Sequence, residues 1–163
     1  MRAISLTQPW ATAVAIGLKH YETRSWSTRY CGPLAIHAAI GFPTFAKDFA
    51  RVEFTFGRLP GRIPFGAIVA ICDLTACLPT WRARPEIGPI ERIYGDYAEE
   101  RFAFRLENVR ALSEPLPCRG ARGIWQVDPA LAATARLLAR AAPKERPAEA
   151  PGRLSRGSPA GHS

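Results

Sequence analysis

At 163 residues the chain has the length of one domain, and 47% hydrophobic residues with four Trp, four Tyr and eight Phe supply a real core, which excludes a chain disordered throughout. The formal charge of +8 rests on 22 Lys and Arg against 14 Asp and Glu, and residues 1–142 alone carry 18 basic and 12 acidic side chains. That balance favours an anionic partner, nucleic acid ahead of membrane, because no basic amphipathic helix stands out.

Residues 2–6 read as a first strand. Pro9 suits the first residue of a helix, with Thr7 or Gln8 at the cap, and Trp10, Val14 and Leu18 give an apolar stripe of two and a half turns that Gly17 closes. Glu22, Arg24 and Trp26 then share one face of a second strand, with Tyr21, Thr23 and Ser25 on the other. Neither face is apolar, so one of them is expected to line a groove. Lys19, Glu22 and Arg24 could be an exposed cluster contributing about 0 to 1 kcal/mol. Against that stand Trp10 and Trp26, since indoles beside cations make a platform for a planar ligand such as a base. Lys19 is also one of two lysines before residue 143, and an amine can lose its proton where a guanidinium cannot.

The apolar run 34–39 is expected to be a buried strand, and His37 within it has the ordinary reading of a hydrogen-bonded core histidine. Residues 42–56 place Phe42, Phe45, Phe49 and Phe56 between Lys47, Asp48, Arg51 and Glu53, an amphipathic helix whose phenylalanine stripe is expected to face the core. Residues 65–78 should form a central strand. Asp73 interrupts it and needs a partner, for which an arginine is expected, because burying an isolated carboxylate is very costly. The Pro-, Gly- and Arg-rich segment 79–100 reads as an excursion with one short helix near 90–94.

Phe102, Phe104 and Leu106 alternate with polar neighbours as in a half-buried strand that continues through 109–116. In 118–125, Arg119 and Arg122 project beside Gly120 and Gly123, which reads either as an anion-facing loop or as a tight turn with solvated arginines. Asp128 caps a terminal helix over 129–142, and the Pro-, Gly- and Ser-rich stretch 143–163 is expected to be a disordered tail. Cys31, Cys72, Cys77 and Cys118 form no metal-binding spacing and read as reduced, so no metal or cofactor is expected. No segment is long enough to span a membrane, and a cytoplasmic protein is expected.

The ordered motifs SLTQPW, GLK, ETRSW, GPLAIHA, FGAIVAICDL and RGARGIW, spread over residues 3–128, resemble the ASCH (activating-signal-cointegrator homology) family of the PUA-like superfamily. The resemblance implies an α+β fold, a PUA-like mixed β-barrel of five to seven strands with helices packed at its mouth. It implies a groove where the Pro9 helix, the ETRSW strand and the RGARGIW loop converge, and His37 matches a family position near that groove. Members are associated with RNA recognition, and some are hydrolases of acylated nucleosides or of RNA. Two functions follow. In a binding module for RNA or a nucleotide-type ligand, Arg24, Arg119 and Arg122 meet phosphates, Trp10 or Trp26 stacks a base and Gln8 reads a polar edge. In a hydrolase, Lys19 steadies an oxyanion while Glu22 or Asp73 activates water. The small amidohydrolase members carry a threonine nucleophile three residues after the groove lysine. Glu22 stands there in this chain, which argues against a covalent threonine mechanism.

Overall fold

The computed structural model describes residues 1–141. Its centre is a mixed six-stranded sheet, curled into a half-barrel, in the order β2-β5-β4-β3-β1-β6. The strands are β1 (Arg2–Leu6), β2 (Tyr21–Arg24), β3 (Gly32–Ala38), β4 (Ala67–Pro79), β5 (Phe102–Pro117) and β6 (Ile124–Gln126). The helices are α1 (Trp10–Ala15), α2 (Thr44–Thr55), α3 (Thr80–Ala83), α4 (Pro89–Tyr94) and α5 (Pro129–Ala141). β1 and β3 pair in parallel, and every other pairing is antiparallel. The parallel pair needs a crossover, and α1 with β2 supplies it.

Alternation along the strands divides two cores. Ile4, Leu6, Leu34, Ile36 and Ala38 face the side of α1, where Val14, Leu74, Phe104 and Leu106 join them. Ala3 and Ala35 point the other way and meet Ala132, Ala135 and Ala139 of α5. Ser5 and His37, directly paired in register, share the parity of Ala3 and Ala35 and so lie on the α5 side.

The local signals in the sequence have visible causes. Asp128 Oδ1 accepts from the backbone N–H groups of Ala130 (2.9 Å) and Leu131 (3.2 Å), capping α5 as expected. Gly17 (φ +77°) ends the first helix in the left-handed region, and Leu18 N–H donates to Ala13 O at 2.9 Å. That helix is shorter than its stripe suggests: Pro9 is its N-cap rather than its first residue, and the Gln8 Oε1 accepts from Thr12 N–H at 3.1 Å. The expected short helix in the 79–100 excursion is α4, preceded by α3 and a 3-10 turn. The expected tail over 143–163 lies outside the described residues.

α2 overturns one expectation. Its buried face is Ala46, Ala50 and Glu53, whereas Phe45 and Phe56 are 66% and 65% exposed. Glu53 can be buried because Arg58 Nη1 contacts both its oxygens (2.9 and 3.1 Å) and the Tyr94 hydroxyl donates to it. The bulky rings are left for the rim of the cleft described next.

Candidate functional site

A cleft of about 590 Å³ opens between the end of β1, α1, β2 and α2, with the turn after α4 as its remaining wall. Its floor is polar. Lys19, only 1% exposed, follows the αL stop at Gly17 and donates from Nζ to Tyr94 O at 2.8 Å, with Glu22 Oε2 at 3.5 Å. The other Glu22 oxygen lies 2.8 Å from Arg24 Nε, an ion pair rather than an aligned hydrogen bond, and Arg24 Nη2 donates to Ser5 O at 2.8 Å. Glu22 and Arg24 meet because residues two apart on a strand share a face.

Tyr94 joins this floor to α2. Its carbonyl receives Lys19 and its hydroxyl donates to Glu53, so one polar chain runs from Arg58 through Glu53, Tyr94, Lys19, Glu22 and Arg24 to Ser5. Burial, and then the Glu53 carboxylate, push the Tyr94 phenol far above its ordinary value, so it stays a neutral donor. A second buried carboxylate, Glu91, ties α4 to the start of β2 by accepting from Tyr21 N–H (3.2 Å) and the Tyr97 hydroxyl (2.9 Å).

The walls are aromatic. Trp10 stacks on Phe49 (centroids 5.2 Å apart, planes at 12°) and tilts against Phe45 at 6.0 Å. Phe49 in turn receives the ring of Tyr94 at 5.4 Å. On the other side Trp26 sets its ring at 73° to that of the core residue Phe104, which holds the indole at the mouth. Arg101 and Asp96 complete the rim, 3.2 Å apart.

Of the residues singled out in the sequence, the fold brings Lys19, Glu22, Arg24, Trp10 and Trp26 together in this cleft. The others lie elsewhere. Gln8 is fully buried beside it, with its amide donating to Pro64 O (2.6 Å) and its oxygen occupied by Thr12. His37 sits on the opposite side of the sheet, its Nδ1 3.1 Å from Ser5 Oγ and its Nε2 3.1 Å from Cys118 O. Burial lowers its pKa, and the Cys118 carbonyl opposes that shift. This is the ordinary core-histidine arrangement. Asp73 lies outside the cleft, and its partner is Asn108 Nδ2 at 2.9 Å instead of an arginine. The strand leaves it half-buried, so a neutral amide suffices.

Arg119 and Arg122 are exposed on the loop before β6 and do not line the cleft. The glycine between them serves the protein's own packing. A Cβ on Gly120 would stand 2.6 Å from His37 Nδ1 and 2.8 Å from Ser5 Oγ. Sequence reasoning missed Phe45, Phe49, Tyr94 and Arg101 as cleft residues. The phenylalanine spacing was visible, but it could not say which side of α2 faces inward. Tyr94 contributes a backbone carbonyl, for which no residue type is a signal. Among the described residues no group of three or more His, Cys, Asp or Glu side chains could hold a metal ion.

The family model for the ASCH domain matches residues 4–116, more than half of the chain. The chain belongs to the ASCH family. Among curated proteins it is 27% identical over 132 residues to activating signal cointegrator 1 of Mus musculus, and 26% identical over 132 residues to the protein of that name in Homo sapiens. Each alignment covers 77% of this chain but 22% of the relative, so this ASCH domain spans about a fifth of the length of the curated relatives it matches. Among solved structures, a point mutant of ZmASCH from Zymomonas mobilis superposes with a TM-score of 0.55 at 16% identity, over 84% of this chain and 96% of that one. ASCH from the same organism gives 0.52 at 15% identity, over 84% and 94%. These likenesses establish the fold.

Proposed function

We propose that this ASCH domain binds RNA or a nucleotide-type ligand in the cleft over Lys19, and that it does so in the cytoplasm. The observation that carries the reading is the pairing of aromatic walls with a cationic floor. The volume of about 590 Å³ falls within the usual range of small-ligand sites. Trp10 and Trp26 offer faces on which a base stacks, and Arg24 and Arg101 stand where a phosphate would sit. Arg119 and Arg122, outside the cleft, add contacts to a longer backbone, and the family's association with RNA agrees with the reading.

The test is binding of labelled single-stranded RNA across a salt series, with the recovered RNA run on a gel. Wild type should bind intact RNA with a negative salt slope. Arg24→Gln should flatten that slope by about 0.7 for each phosphate it no longer neutralises, and Trp26→Ala should weaken binding while leaving the slope as it was. Salt-independent binding, or none, would refute the reading as an RNA-binding cleft and leave only a small nucleotide-type ligand.

One observation favours hydrolysis as the second reading. Lys19 directs one N–H to Tyr94 O, and the residue, although only 1% exposed, borders the cleft, where it could steady an oxyanion. Glu22 would be the base, since Asp73 lies outside the cleft. Both Glu22 oxygens already face cations, which suits a scaffold better. Broken RNA with wild type, and intact but bound RNA with Glu22→Gln, would favour catalysis. Loss of both binding and cleavage would make the carboxylate a scaffold.

A further inference from the structure

Phe45, Phe49, Val52 and Phe56 follow one another at intervals of four, three and four residues, which sets them in a single stripe along α2 and its C-cap. The stripe is turned roughly 100° away from the buried face of Ala46, Ala50 and Glu53. It starts inside the cleft, where Phe45 and Phe49 join Trp10, and runs outward for about 16 Å of helix to Phe56. Val52 and Phe56 are 50% and 65% exposed. One side of the Phe56 ring carries the Arg58 guanidinium, 4.8 Å from the centroid, and Glu53 fixes that guanidinium from behind. Lys47 and Arg51 stand on the same helix, Arg51 with its Nη2 donating to Asp48, the one exposed acid among them, at 3.1 Å.

We propose that this stripe is a stacking track leading out of the cleft, so that the ligand is a single-stranded polymer of several nucleotides rather than a free nucleotide. The inference rests on the cleft binding a nucleotide-type ligand. Two features argue for a nucleic-acid strand over a protein helix as the occupant. The stripe is continuous with the aromatic wall of the cleft, and its outer end pairs a ring with a cation. Together they give a base a face to stack on and its phosphate a charge to meet.

The experiment measures full-chain affinity for uridine monophosphate and for oligouridylates of two, four and six nucleotides, by competition against a labelled hexamer. Phe56→Ala and Phe56→Trp are compared with wild type. Ring loss at an exposed position spares the fold, and sedimentation velocity checks the oligomeric state. The expected result is affinity that rises with length. Phe56→Ala should lose about tenfold for the hexamer and nothing for the monophosphate, and Phe56→Trp should restore the hexamer. Equal affinity for monophosphate and hexamer, or a hexamer indifferent to Phe56→Ala, would overturn the track and leave the cleft reading standing. A dimer that Phe56→Ala dissociates would also overturn it, making the stripe a contact between copies. If no length binds, the cleft reading falls and the track with it.

Discussion

Glu22 stands between two cations, and that placement predicts an asymmetry. Replacing Glu22 by Gln leaves the Lys19 ammonium, 1% exposed, and the Arg24 guanidinium beside each other without their carboxylate. Breaking a buried pair from one side costs about 3–5 kcal/mol, and the residual dipole of Gln puts the expectation near 3. Replacing Lys19 by Met removes the buried charge itself. Glu22 keeps Arg24 Nε at 2.8 Å, and the loss is the donor to Tyr94 O, about 1–3 kcal/mol. Lys19→Met should therefore be the milder change by roughly 1–2 kcal/mol, and the double variant should cost less than the sum of the two. Urea unfolding at pH 7.5, with unchanged m-values, measures all three. If Lys19→Met costs as much as Glu22→Gln, or if the two effects simply add, Glu22 is not the counter-ion of Lys19.

Burial holds His37 below its ordinary value of 6.5, so above that pH both folded and unfolded chains carry it neutral and its contribution is complete. As the pH falls below 6.5 the unfolded chain takes up the proton first and stability is lost, so urea midpoints of wild type and His37→Gln should converge on acidification; a constant difference would refute this. Gly120→Ala drives a methyl against His37 and Ser5 and should cost about 1–3 kcal/mol by the same measurement, whereas a neutral result would mean that the loop yields freely. Burial, reinforced by Asp73, pushes the Cys72 thiol up to about 12, so iodoacetamide at pH 8 should label exposed Cys31 long before Cys72 in peptide mass maps. Equal labelling rates would refute it.

The heart of the cleft was legible because its residues lie within one local stretch. A helix, an αL stop and a strand carry Trp10, Lys19, Glu22, Arg24 and Trp26 close together, and pairing of β2 with β5 and the contact of Trp26 with Phe104 fix the place. What needed the third dimension was everything that arrives from afar. Tyr94 reaches Lys19 across 75 positions through a main-chain oxygen, and nothing in the segment 79–100 announces that. The phenylalanine stripe shows how periodicity falls short. It says which residues share a side of α2, but Ala46, Ala50 and a neutralised Glu53 hold the buried side. The glycines of the 118–125 loop signalled a close approach, and the approach is real at Gly120, but its object is His37.

The hydrogen-bonding inventory of the floor bears on the kind of ligand it suits. Both oxygens of Glu22 face cations, and Tyr94 O already accepts from Lys19. The donors are less fully used. Lys19 has three N–H groups and one aligned acceptor, and Arg24 has five with one aligned acceptor, Ser5 O. Arg24 Nε stands close to Glu22 without an aligned hydrogen bond. Lys19 and Arg24 Nε are shielded from solvent, so the donor capacity that a ligand can reach in the floor is that of the partly exposed Arg24 terminal nitrogens. A ligand rich in acceptors, such as a phosphate or a base carbonyl edge, answers that surplus, whereas a cationic ligand would have to displace Arg24 or Lys19 from Glu22 first. The chain from Arg58 to Ser5 sets each carboxylate against a cation and links α2, the end of α4, β2 and β1. The walls are thus held apart before any ligand arrives, which spares binding the cost of ordering them.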